Sequence, residues 1–192
     1  MKTNLKFNFS ITQADRIKRL NQKPKLIWFT GLPCSGKSTL ANALEVKLFN
    51  EGIHTYLLDG DNLRSGINQD LGFSTEDRKE NLRRVAEIAK ILLDAGIYVI
   101  AAFISPLESD RDMLKKIIGE DYYFEIFVNT PIEECEARDS KGLFKKARAN
   151  EITNFTGVNM AYEIPAKPDL IIDNSDHKFS NNINIILQSI AH

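Results

Sequence analysis

Residues Gly31-Leu-Pro-Cys-Ser-Gly-Lys-Ser38 have the spacing G-x-x-x-x-G-K-S, and Thr39 follows them. This spacing suits a phosphate cradle. Glycines let successive backbone N–H groups turn around one anion, and a helix opening at the lysine adds the partial positive charge of its N-terminus. Lys37 is expected to reach the terminal phosphates and Ser38 to offer its hydroxyl to Mg²⁺. The donor-side set is therefore Gly31, Leu32, Pro33, Cys34, Ser35, Gly36, Lys37, Ser38 and Thr39. Cys34 lies near that positive end, so the expectation is a modifiable thiol with a favoured thiolate, outside any disulfide. A glycine-rich turn with a chance lysine would share the letters, but not the strand before it and the helix after it.

A second group follows at Asp59-Gly-Asp-Asn62. Two carboxylates beside a phosphate site can hold Mg²⁺ through water or accept a proton from an attacking hydroxyl. Asp-Gly and Asp-Asn are also turn formers, so spacing alone leaves an acidic turn open. If the segment is extended, Asp59 and Asp61 point the same way; if it turns at Gly60 they diverge, and a turn is the expectation. Arg64 comes next, then Phe73, Arg78 and Asn81. Arg78 and Asn81 are three apart and share a helix face. An aromatic ring, a guanidinium and an amide suit a nucleobase with a charged group, although each alone is ordinary structure. Arg138 to Phe155 carries Arg138, Lys141, Lys145, Lys146 and Arg148. Such a basic, glycine-flanked segment either closes over phosphates or is a solvated loop.

The elements that must position these groups alternate. Lys25 to Thr30, Thr55 to Leu58, Tyr98 to Ile104, Tyr122 to Val128 and Asp169 to Ile172 are short apolar runs of the kind that form buried strands. Helices are expected over Lys37 to about Asn50, Thr75 to Ala95, Glu108 to Ile118, from near Pro131, and over Asn181 to Ile190. In the second of these, Leu82, Val85, Ala86, Ala89, Leu92 and Leu93 mark an apolar stripe. Strand and helix in alternation imply an α/β fold with a parallel sheet covered on both faces. Asp59 and the Ile104-Ser105-Pro106 step then fall at strand carboxyl ends, where ligands gather in open parallel sheets. Residues 1–24 are expected to form a polar arm with some helix potential around Thr12 to Leu20, and 25–192 one kinase domain with a lid at about 141–157.

Bulk properties narrow the class. The chain has 192 residues, enough for one domain with a substantial core. A formal net charge of −1 gives no global attraction to nucleic acid or to an anionic membrane. The two cysteines, Cys34 and Cys135, are too few for a disulfide framework and point to a reducing compartment. The apolar runs are too short to span a bilayer and the first ten residues lack a secretory pattern, so a cytoplasmic protein is expected. With no Asn-Lys-x-Asp guanine-reading motif, a small-molecule kinase fits better than a GTPase switch.

Taken together, the motifs resemble the adenylylsulfate kinase (APS kinase) family. The matching pieces are Gly31–Thr39, Leu58-Asp-Gly-Asp-Asn-Leu-Arg64, Asp70-Leu-Gly-Phe-Ser74, Asp77-Arg78 and Glu80-Asn-Leu-Arg-Arg84. Phe103-Ile-Ser-Pro106, Arg111, Cys135-Glu-Ala-Arg-Asp139, Lys141 to Arg148, Glu151-Ile152, Phe155-Thr-Gly157 and Tyr162-Glu163 continue the match in order. The resemblance implies a three-layer P-loop kinase fold with a five-stranded parallel sheet, Mg²⁺, commonly a homodimer, and phosphoryl transfer from ATP to the 3′-hydroxyl of adenosine 5′-phosphosulfate (APS), giving PAPS for sulfate activation.

It also implies roles by position. Lys37, Asp61, Asp59 and Ser105 form the catalytic group, with Asp61 assisting the 3′-hydroxyl and the metal, while Ser38 and, through water, Asp59 are expected to serve Mg²⁺. Phe73 and Phe155 enclose the acceptor adenine. Arg64, Arg78, Asn81, Ile104, Ser105, Lys141 and Leu143 line the acceptor nucleotide, and Arg138 lies near ATP. Ser105 stands where some family members are described as carrying a phosphorylated serine, although direct in-line transfer needs no covalent enzyme step. Departures occur at Pro33-Cys34, at Phe144 where tyrosine is typical, and at Val158-Asn-Met-Ala161. Alternatives are a 3′-hydroxyl kinase for another activated nucleotide, such as cytidine diphosphoramidate in capsule biosynthesis, and a non-catalytic nucleotide-sensing partner. The full set of Lys37, Ser38, Asp59 and Asp61 argues against the latter. The chain end soon after the last helix leads us to expect no fused catalytic domain.

Overall fold

The computed structural model describes residues 9–175 and 179–190. Five strands form one parallel sheet: β1 (Leu26–Thr30), β2 (Thr55–Asp59), β3 (Tyr98–Ala102), β4 (Tyr123–Asn129) and β5 (Leu170–Asp173), in the order β2-β3-β1-β4-β5. Central strand β1 is flanked by β3 and β4, and all of its residues are buried. Its side chains alternate between two cores. Ile27 and Phe29 join Leu40, Ala41, Leu44 and Leu48 of α2 (Lys37–Asn50) and Ile183, Ile186 and Ile190 of α8 (Phe179–Ile190). Leu26 and Trp28 join Leu82, Val85, Ala86 and Ala89 of α4 (Thr75–Asp94) and Leu114 and Ile118 of α5 (Glu108–Ile118). Both faces of the strand are therefore apolar, as the uninterrupted run in the sequence requires. Among the described residues no helix is long and apolar enough to cross a membrane.

Four local features differ from the expectation. The Asp59-Gly-Asp-Asn62 stretch is not a loop: Gly60–Arg64 forms a short helix, α3, capped by the Asp59 carboxylate. The basic segment contains a helix, α7 (Leu143–Arg148), beyond the helix expected from near Pro131, which is α6 (Ile132–Ala137). β3 stops at Ala102 rather than Ile104. The chain leaves the sheet there, and Ser105 adopts a left-handed φ of 39° that no strand accommodates. The helix expected around Thr12 to Leu20 is present, but it is docked on the domain and does not set residues 9–24 apart as an arm. Helix α1 (Gln13–Leu20) opens on a reciprocal Thr12–Asp15 capping box, and Gln13 and Arg16 bond Leu93 O and Asp94 at the end of α4. Residues 1–8 of the expected arm lie outside the described residues.

Candidate active site

The P-loop joins β1 to α2 and is held from both sides. The Ser35 carbonyl accepts from Thr130 Oγ1 at 2.9 Å and from Asn174 Nδ2 at 2.8 Å. A Cβ on Gly36 would lie 2.3 Å from that same Asn174 nitrogen, and one on Gly31 would lie 2.7 Å from Val128 O. Only glycine permits these approaches, so the spacing in the motif is a packing requirement as well as a ligand requirement. Lys37 is buried at 8% exposure, and its ammonium donates to Leu32 O at 2.6 Å and Ser35 Oγ at 3.3 Å. Burial pulls its pKa down to about 8. A phosphate arriving in the cradle would restore the missing counter-charge.

Ser38 and Thr39 are exposed at the start of α2. Ser38 Oγ donates to Asp59 Oδ2 at 2.9 Å, which joins the start of α2 to the end of β2. The other oxygen, Asp59 Oδ1, caps α3 by accepting from Asp61 N–H at 3.0 Å. Gly60 thus turns the chain, and the two aspartates diverge. Asp61 faces the lid, where Lys141 Nζ donates to its Oδ2 at 2.6 Å; both side chains remain mostly exposed. The oxygen-only pair of Ser38 and Asp59 suits Mg²⁺, which takes one or two protein oxygens and completes its shell with water and phosphate.

The residues expected on the acceptor side lie in segments outside the P-loop. Phe73 is 63% exposed, with the Arg64 guanidinium 4.5 Å and the Arg78 guanidinium 5.7 Å from its ring centre. Arg64 also donates to Gly72 O at 2.8 Å, and Arg78 bridges Phe73 O at 3.0 Å to Asn154 O at 2.6 Å. That bridge ties the segment bearing Phe73 to the residue before Phe155. Phe155 itself is nearly buried, edge-on to Phe144 at 4.9 Å, in a small core with Cys135 and Ala147 that Leu143 packs against. Asn81 is buried and accepts from Asn68 Nδ2 at 2.9 Å. Ile104 is half-buried, and Ser105 is 2% exposed with its hydroxyl bonded to Thr30 and Trp28. Arg138 stands apart from these residues, on Asn174 O at 2.9 Å and Glu134 at 2.8 Å.

Two expectations need correcting. The Cys34 thiol is pushed up, not down, first by its own burial and then by the Asp139 carboxylate, whose Oδ1 lies 3.9 Å from the sulfur. Lys37 acts the other way but more weakly. Ser105 has the wrong surroundings for a phosphoryl carrier, because its hydroxyl sits inside the core. Residues that the sequence reading passed over are Asp139, which caps α7 through Leu143 N–H and Phe144 N–H, and Thr130 and Asn174, which grip the P-loop. For Asp139 the signal was present, an acidic residue just ahead of a helix start. For Thr130 and Asn174 there was none, since their partners are far along the chain.

The chain matches the sequence pattern of adenylylsulphate kinase over residues 23–173. It is 53% identical over 182 residues to the adenylyl-sulfate kinase of Shewanella halifaxensis, covering 95% of this chain and 89% of that one. It is 54% identical over 165 residues to that of Marinobacter nauticus, covering 86% and 83%. The Mycobacterium tuberculosis APS kinase, solved in complex with AMPPNP and APS, superposes with a TM-score of 0.85 at 44% identity, covering 89% of this chain and 99% of that one. Shikimate kinase from Aquifex aeolicus, at 19% identity and a TM-score of 0.51, shares the fold alone. A nucleotide-triphosphate cradle, a carboxylate pair at the next strand end and a cationic aromatic wall thus coincide with close likeness over nearly the whole chain, and the chain belongs to the adenylylsulphate kinase family.

Proposed function

We propose that this chain transfers the γ-phosphoryl group of MgATP to the 3′-hydroxyl of adenosine 5′-phosphosulfate, releasing ADP and PAPS. The observation that carries the reading is the junction at β2. One strand end holds Asp59 against the P-loop serine and Asp61 toward the lid lysine. Donor and acceptor chemistry therefore meet two residues apart. The named activity of relatives about half identical over most of their length supports the same reading.

Each side chain then has a task. The P-loop N–H groups and Lys37 hold the β- and γ-phosphates and meet the charge that spreads over the equatorial oxygens in a loose transition state. Ser38 and Asp59 would hold Mg²⁺, which would supply positive charge against the phosphates. Asp61 orients the 3′-hydroxyl and takes its proton late. Phe73 offers its ring to the adenine, while Arg64, Arg78 and Lys141 meet the phosphosulfate. An exposed ion pair such as Lys141–Asp61 contributes less than about 1 kcal/mol, so the arriving substrate can replace it. Ser105 does not carry phosphate in this scheme. Arg138 borders the ATP base.

The homodimer belongs to the proposal as well. Phe127 and Ile171 are register partners on one sheet face, where Phe127 is buried against the Tyr162 ring and Ile171 is open. Phe127 and the exposed Ile164 line a cavity of about 690 Å³ there, and Ile171 is 56% exposed. Sedimentation equilibrium checks the dimer.

The reaction itself is tested by incubating the chain with MgATP and APS, AMP, adenosine or a cytidine diphosphoramidate acceptor while ADP is recorded. Strong release with APS and weak release with AMP or adenosine is expected. Equal turnover with the cytidine acceptor would contradict the acceptor assignment, and no release with any acceptor would leave a nucleotide-binding partner as the better reading.

A further inference from the structure

Thr30 is the last residue of β1, directly before the P-loop, and it is fully buried. Its hydroxyl has three neighbours from two distant segments. It donates to Ile104 O at 2.8 Å, accepts from Ser105 Oγ at 2.8 Å, and lies 2.9 Å from Tyr162 Oη. A hydroxyl has one proton and two lone pairs. The proton goes to the carbonyl and one lone pair to Ser105, so Tyr162 must donate the third bond. Burial raises the Tyr162 phenol to about 12, so it holds that proton at neutral pH. Trp28 Nε1 extends the chain by donating to Ser105 Oγ at 3.0 Å. Donors and acceptors therefore run in one direction, from Trp28 to Ser105 to Thr30 to Ile104.

The segments that converge on this hydroxyl are functional ones. Ile104 and Ser105 form the loop after β3, and Tyr162 lies in the irregular segment that follows residues 141–157. Ser105 is held at a φ of 39°, a conformation that is unfavourable for a non-glycine residue and persists only where neighbours impose it. Arg111 grips the same place from behind. It is 2% exposed, and it donates to Ser105 O and to Glu163 O at 2.8 Å each. The P-loop, in contrast, has its own supports in Thr130, Asn174 and Lys37, none of which involves the Thr30 hydroxyl.

We infer that Thr30 is a positioning residue, whose hydroxyl locks the acceptor loop at Ile104–Ser105 and the post-lid residue Tyr162 to the strand that carries the P-loop. It thereby sets the distance between acceptor hydroxyl and donor phosphate without touching either. The inference rests on the proposed kinase reaction, in which that loop borders the acceptor. A misplacement on the order of 1 Å at the reacting atoms is enough to cost about 10²-fold in rate.

The test uses the full chain and the variants Thr30→Val, Thr30→Ser and Tyr162→Phe. Steady-state rates are measured with APS varied at saturating MgATP, ADP affinity is measured by calorimetry, and unfolding temperature is recorded for each. Thr30→Val keeps the shape and loses all three bonds. It is expected to lower kcat/KM for APS by about 10²-fold while ADP affinity stays within about twofold. Thr30→Ser restores the hydroxyl and should recover most of the loss. Tyr162→Phe removes one bond and should cost about tenfold, again without changing ADP affinity. A Thr30→Val enzyme with near-normal kcat/KM for APS overturns the inference. So does one that loses ADP and APS binding equally and is not rescued by serine, because that is a general loss of packing. If Thr30→Val does not fold, the same split in Tyr162→Phe decides. Absence of APS-dependent ADP release by the unmodified chain overturns the proposed reaction, and Thr30's part with it.

Discussion

The two halves of the site are built by opposite means. The donor cradle is made of backbone, two close-packed glycines and buried side chains that already have partners: Ser35 O with Thr130 and Asn174, and Lys37 with Leu32 O. The side proposed for the acceptor opens on long charged side chains around the exposed Phe73 ring, with Lys141 67% and Asp61 77% exposed, over buried Asn81, Ser105 and Phe155. A cradle for phosphate is a shape that a local turn can supply in full. A pocket that must distinguish one nucleotide from another, and then release the product, can be left partly open and completed on binding, the part we propose for residues 141–157. The physical difference is preorganisation: the first half has spent its ordering entropy on folding, and the second spends it on binding.

If that contrast holds, damage to the donor side should abolish chemistry without unfolding the chain. Lys37→Met is expected to lower turnover by about 10²–10³-fold, the loss of one charge donor to the transition state. Because burial works against the charged ammonium, the variant should melt no lower than the unmodified chain; a large fall in melting temperature would show that Lys37 supports the fold. On the acceptor side, Asp61→Asn keeps shape and reach but removes the charge. It should lower kcat by about 10²-fold with a smaller change in KM for APS. Asp59→Asn should instead raise the Mg²⁺ needed for half-maximal rate. Steady-state titrations with APS and with Mg²⁺ separate the two, and the reverse pattern would exchange the roles.

Smaller effects sharpen the contrast. Asp139→Ala removes the carboxylate that caps α7 at 2.9 and 2.7 Å. A lost cap costs about 1 kcal/mol, so residues 141–157 should be cleaved several-fold faster in limited proteolysis while the P-loop is unchanged. Unaltered cleavage would mean that the cap does not set lid order.

The smallest expected signal is in pH. Lys37 titrates near 8 when free of ligand, against 10.5 ordinarily. Bound phosphate favours its charged form, so ADP binding at pH 8.5 should take up a fraction of a proton, and affinity should fall as pH rises through that range. Calorimetry in two buffers of different ionisation heat reads the uptake directly. For the free protein the unfolded chain holds more protons between pH 8 and 10.5, so this group's contribution to stability rises with pH across that window.

Much of this was legible in the sequence, and the reason is locality. Five apolar runs, the glycine spacing of the P-loop and the stripe in α4 each lie within one short window, and each appears where its pattern places it. Helices α3 and α7 were not legible because five or six residues are too few to show a period. The favoured thiolate at Cys34 failed for a tertiary reason. The helix end is close, but so are apolar neighbours and Asp139, which arrives from 105 residues away. Ser105 looked catalytic at a strand end, and its burial is visible only once Trp28 and Thr30 are placed beside it. The sequence could name the aspartates and the turn at Gly60 that parts them, but not that the Asp59 carboxylate caps a helix there.

The contrast between a finished donor cradle and an acceptor side completed on binding is tested most directly by amide hydrogen exchange, followed segment by segment in the free protein, with ADP, with APS and with both. The account predicts that amides of β1, the P-loop and the first turns of α2 exchange slowly in all four states. Residues 141–157 should exchange quickly when free and become protected only with both nucleotides bound. Strong protection of 141–157 in the free protein, or a P-loop that orders only when nucleotide arrives, would contradict it.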